Sequence, residues 1–273
     1  MNETFSFKRF GTYFKYDITQ LWRKHSRAVL LIGFSGVIAY VLCVLFSLLF
    51  NQTYQAPGIV GRFVVFAVAS IVLELYMTKF YGFLTDKKEG SDWILVPASK
   101  TEKYVSMLLN TIIIIPVAFL IVFLGTDWII CLLDKTAGTA LISSTSEVIN
   151  SIQLGATDLD ELKEVGMSPV LFMIMAVIGS WANYLYFLLC GICFKKNKIF
   201  YSILIIFAFS ILMSTLSALV IPGIDFEAML DNMSEEKVKA YVKGFMTAVY
   251  IFTVIYAVGM GWGVWHRINT IKH

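Results

Sequence analysis

The stretch Asp92–Tyr104, DWILVPASKTEKY, decides how the chain is built, because it sets a polar hinge between two long apolar runs. Pro97 disfavours helix at Val96. Two residues later, Ser99-x-x-Glu102 is a capping-box pattern directly before the apolar run YVSMLL, so Ser99 reads as the N-cap of a new helix. Upstream, in LTDKKEGSDWILV, Gly90 reads as a break and Asp92 as a cap, which leaves Trp93, Ile94, Leu95 and Val96 as an exposed apolar ridge beside charges. A ridge of that kind suits a docking surface. It equally suits a plain loop whose Trp93 and Ile94 anchor in the lipid interface.

Outward from the hinge the chain is predominantly apolar. Of its 273 residues 58% are hydrophobic and 15% charged, and the mean hydropathy is +0.74, which places it outside the soluble range. Crossing a bilayer core takes about 20 helical residues, and segments near 28–50, 59–81, 104–133, 168–194, 199–221 and 244–265 meet that length. The expected fold class is an all-α polytopic membrane protein with six transmembrane helices. The first span reads as an uncleaved anchor, since the polar, basic residues 1–27 are too long for the start of a signal peptide and no A-x-A site follows Phe50. Cys43, Cys131, Cys190 and Cys193 all fall within spans and imply no disulfide framework.

Charge sets the orientation. With the N-terminus inside, sixteen of the 22 Lys and Arg lie on the cytoplasmic side, as the positive-inside rule asks. Both termini and the segment 82–103 are then cytoplasmic, in an inner membrane. The outer segments are 134–167, long and polar, and 222–243, where Ser234-Glu235-Glu236-Lys237-Val238 reads as a short capped helix.

The expected organisation is an N-terminal basic amphipathic helix over residues 1–27 followed by a six-helix domain over 28–273. Phe7, Phe10, Phe14, Ile18, Leu21 and Trp22 recur at three- and four-residue spacings, with Lys8, Arg9, Lys15 and Lys24 mostly on the other arc. A helix of that pattern lies in the headgroup layer; the alternative is a cytoplasmic helix packed on its own bundle.

The DWILVPASKTEKY segment, the basic N-terminal helix and the six spans together resemble the ABC-2-type permease subunits common in Bacteroidetes, with their "LPAS…EK" between helices two and three. The resemblance implies a permease subunit without an ATPase of its own, an elbow-like N-terminal helix, and a coupling element that sits on a separate nucleotide-binding subunit. Trp93, Leu95, Pro97, Ser99, Glu102 and Lys103 are where that element maps. It also implies two permease copies, identical or different, around a shared path, with ATP and Mg held by the partner and no cofactor in this chain. Two features depart from the wider superfamily: the segment 134–167 is long, and 225–243 is too charged to re-enter the membrane.

No G-x-x-x-x-G-K-[ST] occurs, so ATP-driven work needs a partner subunit, and no H-E-x-x-H occurs, so a metalloprotease site is unsupported; no catalytic, metal or nucleic-acid role is expected of the chain. Within the spans, Glu74 and Asp127 are the acids that need explaining, because a charge in hydrocarbon must find a partner, water or a proton. Glu74 reads as part of a polar cavity or a helix–helix contact, Asp127 as an interfacial acid reached by water. Pro116 is expected to kink the third span, and Gly259, Gly261 and Gly263 to let the last one pack closely. The competing function is a non-transporting sensor, scaffold or assembly factor whose outer segments bind an envelope partner.

Overall fold

The computed structural model of the chain describes residues 5–50, 56–85, 87–143, 169–220 and 235–270, and among them there is no strand. The helices are α1 (Phe7–Gly33), α2 (Ser35–Leu49), α3 (Ile59–Phe80), α4 (Lys87–Leu95), α5 (Lys100–Leu109), α6 (Ile115–Leu133), α7 (Pro169–Cys193), α8 (Lys198–Val220) and α9 (Glu235–Thr270). Five of the continuous helices are long and apolar enough to cross a membrane, and α1 with α2 forms a sixth candidate bent by 44°. The protein is an all-α, multi-pass membrane protein.

The chain does not divide at residue 27. The N-terminal helix continues unbroken to Gly33, and the bend falls at Phe34. Gly33 explains its position: a Cβ there would meet Val122 at 2.7 Å, so α1 presses its backbone onto α6 at that point. The face of α1 that packs inward is also not the whole apolar stripe. Tyr13, Asp17 and Leu21, spaced at i, i+4 and i+8, are buried. Phe7, Tyr16 and Trp22 stay exposed, so the rest of the chain leaves much of the aromatic arc uncovered.

Pro116 acts through a change of winding. It lacks the N–H that the fourth residue back would accept, and its ring crowds that carbonyl. A π-turn over Asn110–Ile114 takes up the misfit just ahead of it, and the helix continues from Lys100 to Leu133.

Small residues set the helix contacts, as expected where lipid leaves little hydrophobic drive between helices. A Cβ on Gly191 would lie 2.3 Å from the carbonyl oxygen of Thr78, which makes the crossing of α3 and α7 a backbone-to-backbone contact. Gly263 faces Leu189 across the α7–α9 contact, and Gly261 lies under the hydroxyl of Tyr104, which donates to its carbonyl at 3.0 Å. Gly259 meets nothing within 4 Å and is not a packing glycine. Leu73 and Met77 of α3, Phe119 and Phe123 of α6, and Leu188 and Ile192 of α7 are fully buried between these helices.

Of the segment expected to form a separate capped helix, residues 235–238 are instead the first turn of α9, and Ser234 lies outside the described residues. Most of the two segments 134–167 and 222–243 lies outside the described residues.

Candidate functional site

The hinge folds into an elbow. Gly82–Thr85 make a 3-10 turn, α4 runs to Leu95, and α5 starts at Lys100. Gly90 is buried inside α4 and breaks nothing. Ser99 is the N-cap of α5 as its sequence promised: its hydroxyl accepts from Glu102 N at 3.2 Å, and Glu102 Oε2 accepts from Ser99 N at 2.9 Å.

Glu102 does more than close its own capping box. It is fully buried. Its Oε1 accepts from Ser6 N at 2.8 Å and from Arg9 Nη2 at 2.7 Å, and its Oε2 from Arg9 Nε at 2.7 Å. One carboxylate thus serves the N-termini of both α1 and α5, where negative charge meets the positive end of each helix dipole, and the Arg9 fork fixes its plane.

Lys103 does the complementary task at the end of α4. Its ammonium donates to the carbonyls of Trp93 at 2.7 Å and Ile94 at 3.2 Å, and lies 4.6 Å from the centre of the Trp93 ring. A cation on the last carbonyls of a helix satisfies acceptors that have no intrahelical donor. Trp93 in turn donates from Nε1 to Tyr13 Oη at 3.0 Å.

One turn further along α1, Asp17 Oδ2 accepts from Tyr81 Oη at 2.8 Å, Ser106 Oγ at 2.6 Å and Asn110 Nδ2 at 3.0 Å. Asn110 opens the π-turn, so this cluster ties α1 to the end of α3 and to the irregular winding of the third span. Lys198, at the start of α8, donates to Gly82 O and to Thr85 Oγ1, fastening the 3-10 turn from the other side.

The expected docking residues therefore divide. Trp93 was expected in an exposed ridge but is 8% exposed, and Ser99, Glu102 and Lys103 are buried with it; these four hold the elbow together. Leu95, 76% exposed, remains on the surface with Ile94 and Pro97. The periodicity around Asp92 could not reveal this, because the hydroxyl that accepts from the Trp93 indole belongs to Tyr13 of α1, 80 residues away.

Asp127 is likewise not a water-reached acid. It is buried beside Arg62, with Arg62 Nη1 to Asp127 Oδ1 at 2.9 Å. Arg62 Nη2 also donates to the carbonyls of Ala137 and Thr139, and Leu141 N donates to Asp127 Oδ2 at 2.8 Å. The pair anchors the chain that follows α6.

Glu74 stands apart from both clusters. It is half-buried on α3, facing Asn183 of α7, with Tyr184 and Tyr256 nearby, and Asn183 is itself exposed within an apolar span. Glu74 and Asp127 are not brought together.

Tyr13, Asp17, Tyr81, Asn110 and Arg62 were not singled out by pattern, and Arg9 only as one cation of the polar arc of α1. One signal was available: Asp17 is the only acid between residues 4 and 27, and it falls on the Tyr13–Leu21 face of the amphipathic helix. Among the described residues no group of His, Cys, Asp and Glu converges as a metal site. No protein-family model, no curated protein and no solved structure matches the chain.

Proposed function

We propose that the chain is the membrane-spanning permease subunit of an ABC transporter, driven by a separate ATPase that docks on the α4 elbow. The observation that carries this reading is the elbow's construction. A nine-residue helix, too short to be stable alone, is fixed to α5 by the buried Lys103 and to α1 by the Trp93–Tyr13 hydrogen bond while its tip presents Ile94, Leu95 and Pro97 outward. A push on that tip is delivered through Lys103 and Glu102 to the start of the third span, and through Asp17 to its π-turn.

The elbow lies at the Lys- and Arg-rich end of the bundle, which the positive-inside rule puts in the cytoplasm, where ATP is available. The aromatic arc of α1 then meets the headgroup layer. Two copies of the chain surround the path. The polar Asn183, exposed on a single copy within an apolar span, and the adjacent Glu74 support an arrangement that gives them water or a partner. The chain itself performs no catalysis.

Purification from native membranes in mild detergent tests the reading. A co-purifying protein with a G-x-x-x-x-G-K-[ST] loop and ATPase activity supports it; wild-type protein free of any such subunit removes it. The scaffold reading draws on the opposite end, where Arg62 and Asp127 hold residues 137–141 in place as a platform for an outer partner.

A further inference from the structure

A cavity of 170 Å³ opens beside the elbow between α1 and α4, and its lining includes Asp17, Gln20, Lys24, Phe83, Asp92 and Trp93. Asp17 is 5% exposed, yet its hydrogen bonds from Tyr81, Ser106 and Asn110 all fall on Oδ2. Among the described residues its Oδ1 takes none, and Asp17 lines the cavity. Asp92, which is exposed, adds a second carboxylate to the same recess.

The walls are aromatic, from Trp93 and Phe83, and they already accommodate a cation: the ammonium of Lys24 lies 5.0 Å from the centre of the Phe83 ring. Among the described residues that line the recess, the acids Asp17 and Asp92 outnumber the single ammonium of Lys24. At this depth the free oxygen calls for a cation, water or a proton, and aromatic faces add to the attraction for ammonium or guanidinium groups.

Size and setting select the occupant. Sites for drug-sized ligands run to roughly 300–1,000 Å³, and this cavity holds one long side chain. Around it, Tyr16, Ile94 and Leu95 are exposed, so whatever enters arrives with an apolar surface beside it, as a protein does.

We propose that the recess receives an Arg or Lys side chain of the cytoplasmic partner subunit. The proposal rests on the docking reading above and gives it a chemical lock: the partner's apolar contact falls on Leu95, and its cation enters between α1 and α4 to meet Asp17 Oδ1 and Asp92.

Gln20→Arg tests this by placing a guanidinium in the cavity from the chain itself, without touching the bonds on Asp17 Oδ2. In mild-detergent purification from native membranes, the ATPase retained per permease falls about tenfold or more with Gln20→Arg, as for loss of a close charge pair at an interface. It falls less with Asp92→Asn and recovers with Asp92→Glu, while the melting temperatures of Asp92→Asn and Asp92→Glu match wild type. Full retention of the ATPase by Asp92→Asn and by folded Gln20→Arg overturns the lock and leaves the docking reading standing. Absence of the ATPase from the wild-type preparation removes both. A rise in the wild-type melting temperature with millimolar N-acetylarginine methylamide, with retention of the ATPase unchanged in the variants, makes the recess a site for free cations and also overturns the proposal.

Discussion

Truncating Trp93 should release α4 without disturbing the bundle. Trp93→Ala removes a buried indole, its hydrogen bond to Tyr13 and the ring face under Lys103. Large-to-small changes at buried aromatic positions cost about 3–5 kcal/mol. In α4 this loss falls on a nine-residue helix, so it is felt as local opening. At about 1.4 kcal/mol per tenfold, the lower figure raises the open population on the order of 100-fold. Hydrogen–deuterium exchange of the purified protein measures it: amides of residues 87–95 should exchange far faster in Trp93→Ala, while those of residues 115–133 keep their wild-type rates. Trp93→Phe keeps most of the packing and loses about 1 kcal/mol with the Nε1 bond, so its exchange should rise only severalfold. If exchange over 87–95 in Trp93→Ala equals wild type, Trp93 does not hold the elbow, and its assignment to the framework is wrong.

Asp127→Asn leaves Arg62 buried without its counter-charge and should destabilise by about 3–5 kcal/mol, read as a drop in detergent melting temperature; Arg62→Met with Asp127→Leu should recover most of it, and equal loss in the double variant contradicts the ion-pair account. Gly191→Ala drives a Cβ into the Thr78 carbonyl and should force α3 and α7 apart, lowering folded yield, whereas Gly259→Ala should be neutral. Ser99→Ala removes an N-cap and should cost about 1 kcal/mol, seen as faster exchange over residues 100–104 alone. Leu95→Cys should react with a membrane-impermeant maleimide only after the membrane is opened from outside, given a background without native cysteines; labelling in intact cells contradicts the orientation.

The spans were legible because their apolar runs are long enough to be read locally, and the Ser99–Glu102 cap because its two halves lie three residues apart. What pattern could not supply were contacts closed between distant segments. Glu102 looked like half of a capping box, and nothing near it announces that Arg9 and Ser6 complete the carboxylate's shell. Trp93 beside Ile94 and Leu95 looked like a ridge, yet helical rotation turns the indole toward Tyr13 while Leu95 faces out. Asp127 looked like an end-of-span acid because its counter-charge, Arg62, sits in a different helix, 65 residues earlier. Gly90 misled for the opposite reason: a glycine beside charged residues resembles a break, but it lies buried within the continuous α4.

The central claim is that the α4 tip is where a cytoplasmic ATPase meets this chain, and site-specific cross-linking tests it most directly. A photo-reactive p-benzoylphenylalanine is placed at Leu95, exposed at the tip, and in a second protein at Ile142, exposed near the Arg62 end; both are irradiated in native membranes and the adducts sequenced. The account predicts an adduct from Leu95 containing a protein with a nucleotide-binding phosphate loop, and none of that kind from Ile142. An abundant protein adduct from Ile142 together with none from Leu95 would contradict it and favour the scaffold that works from the opposite end.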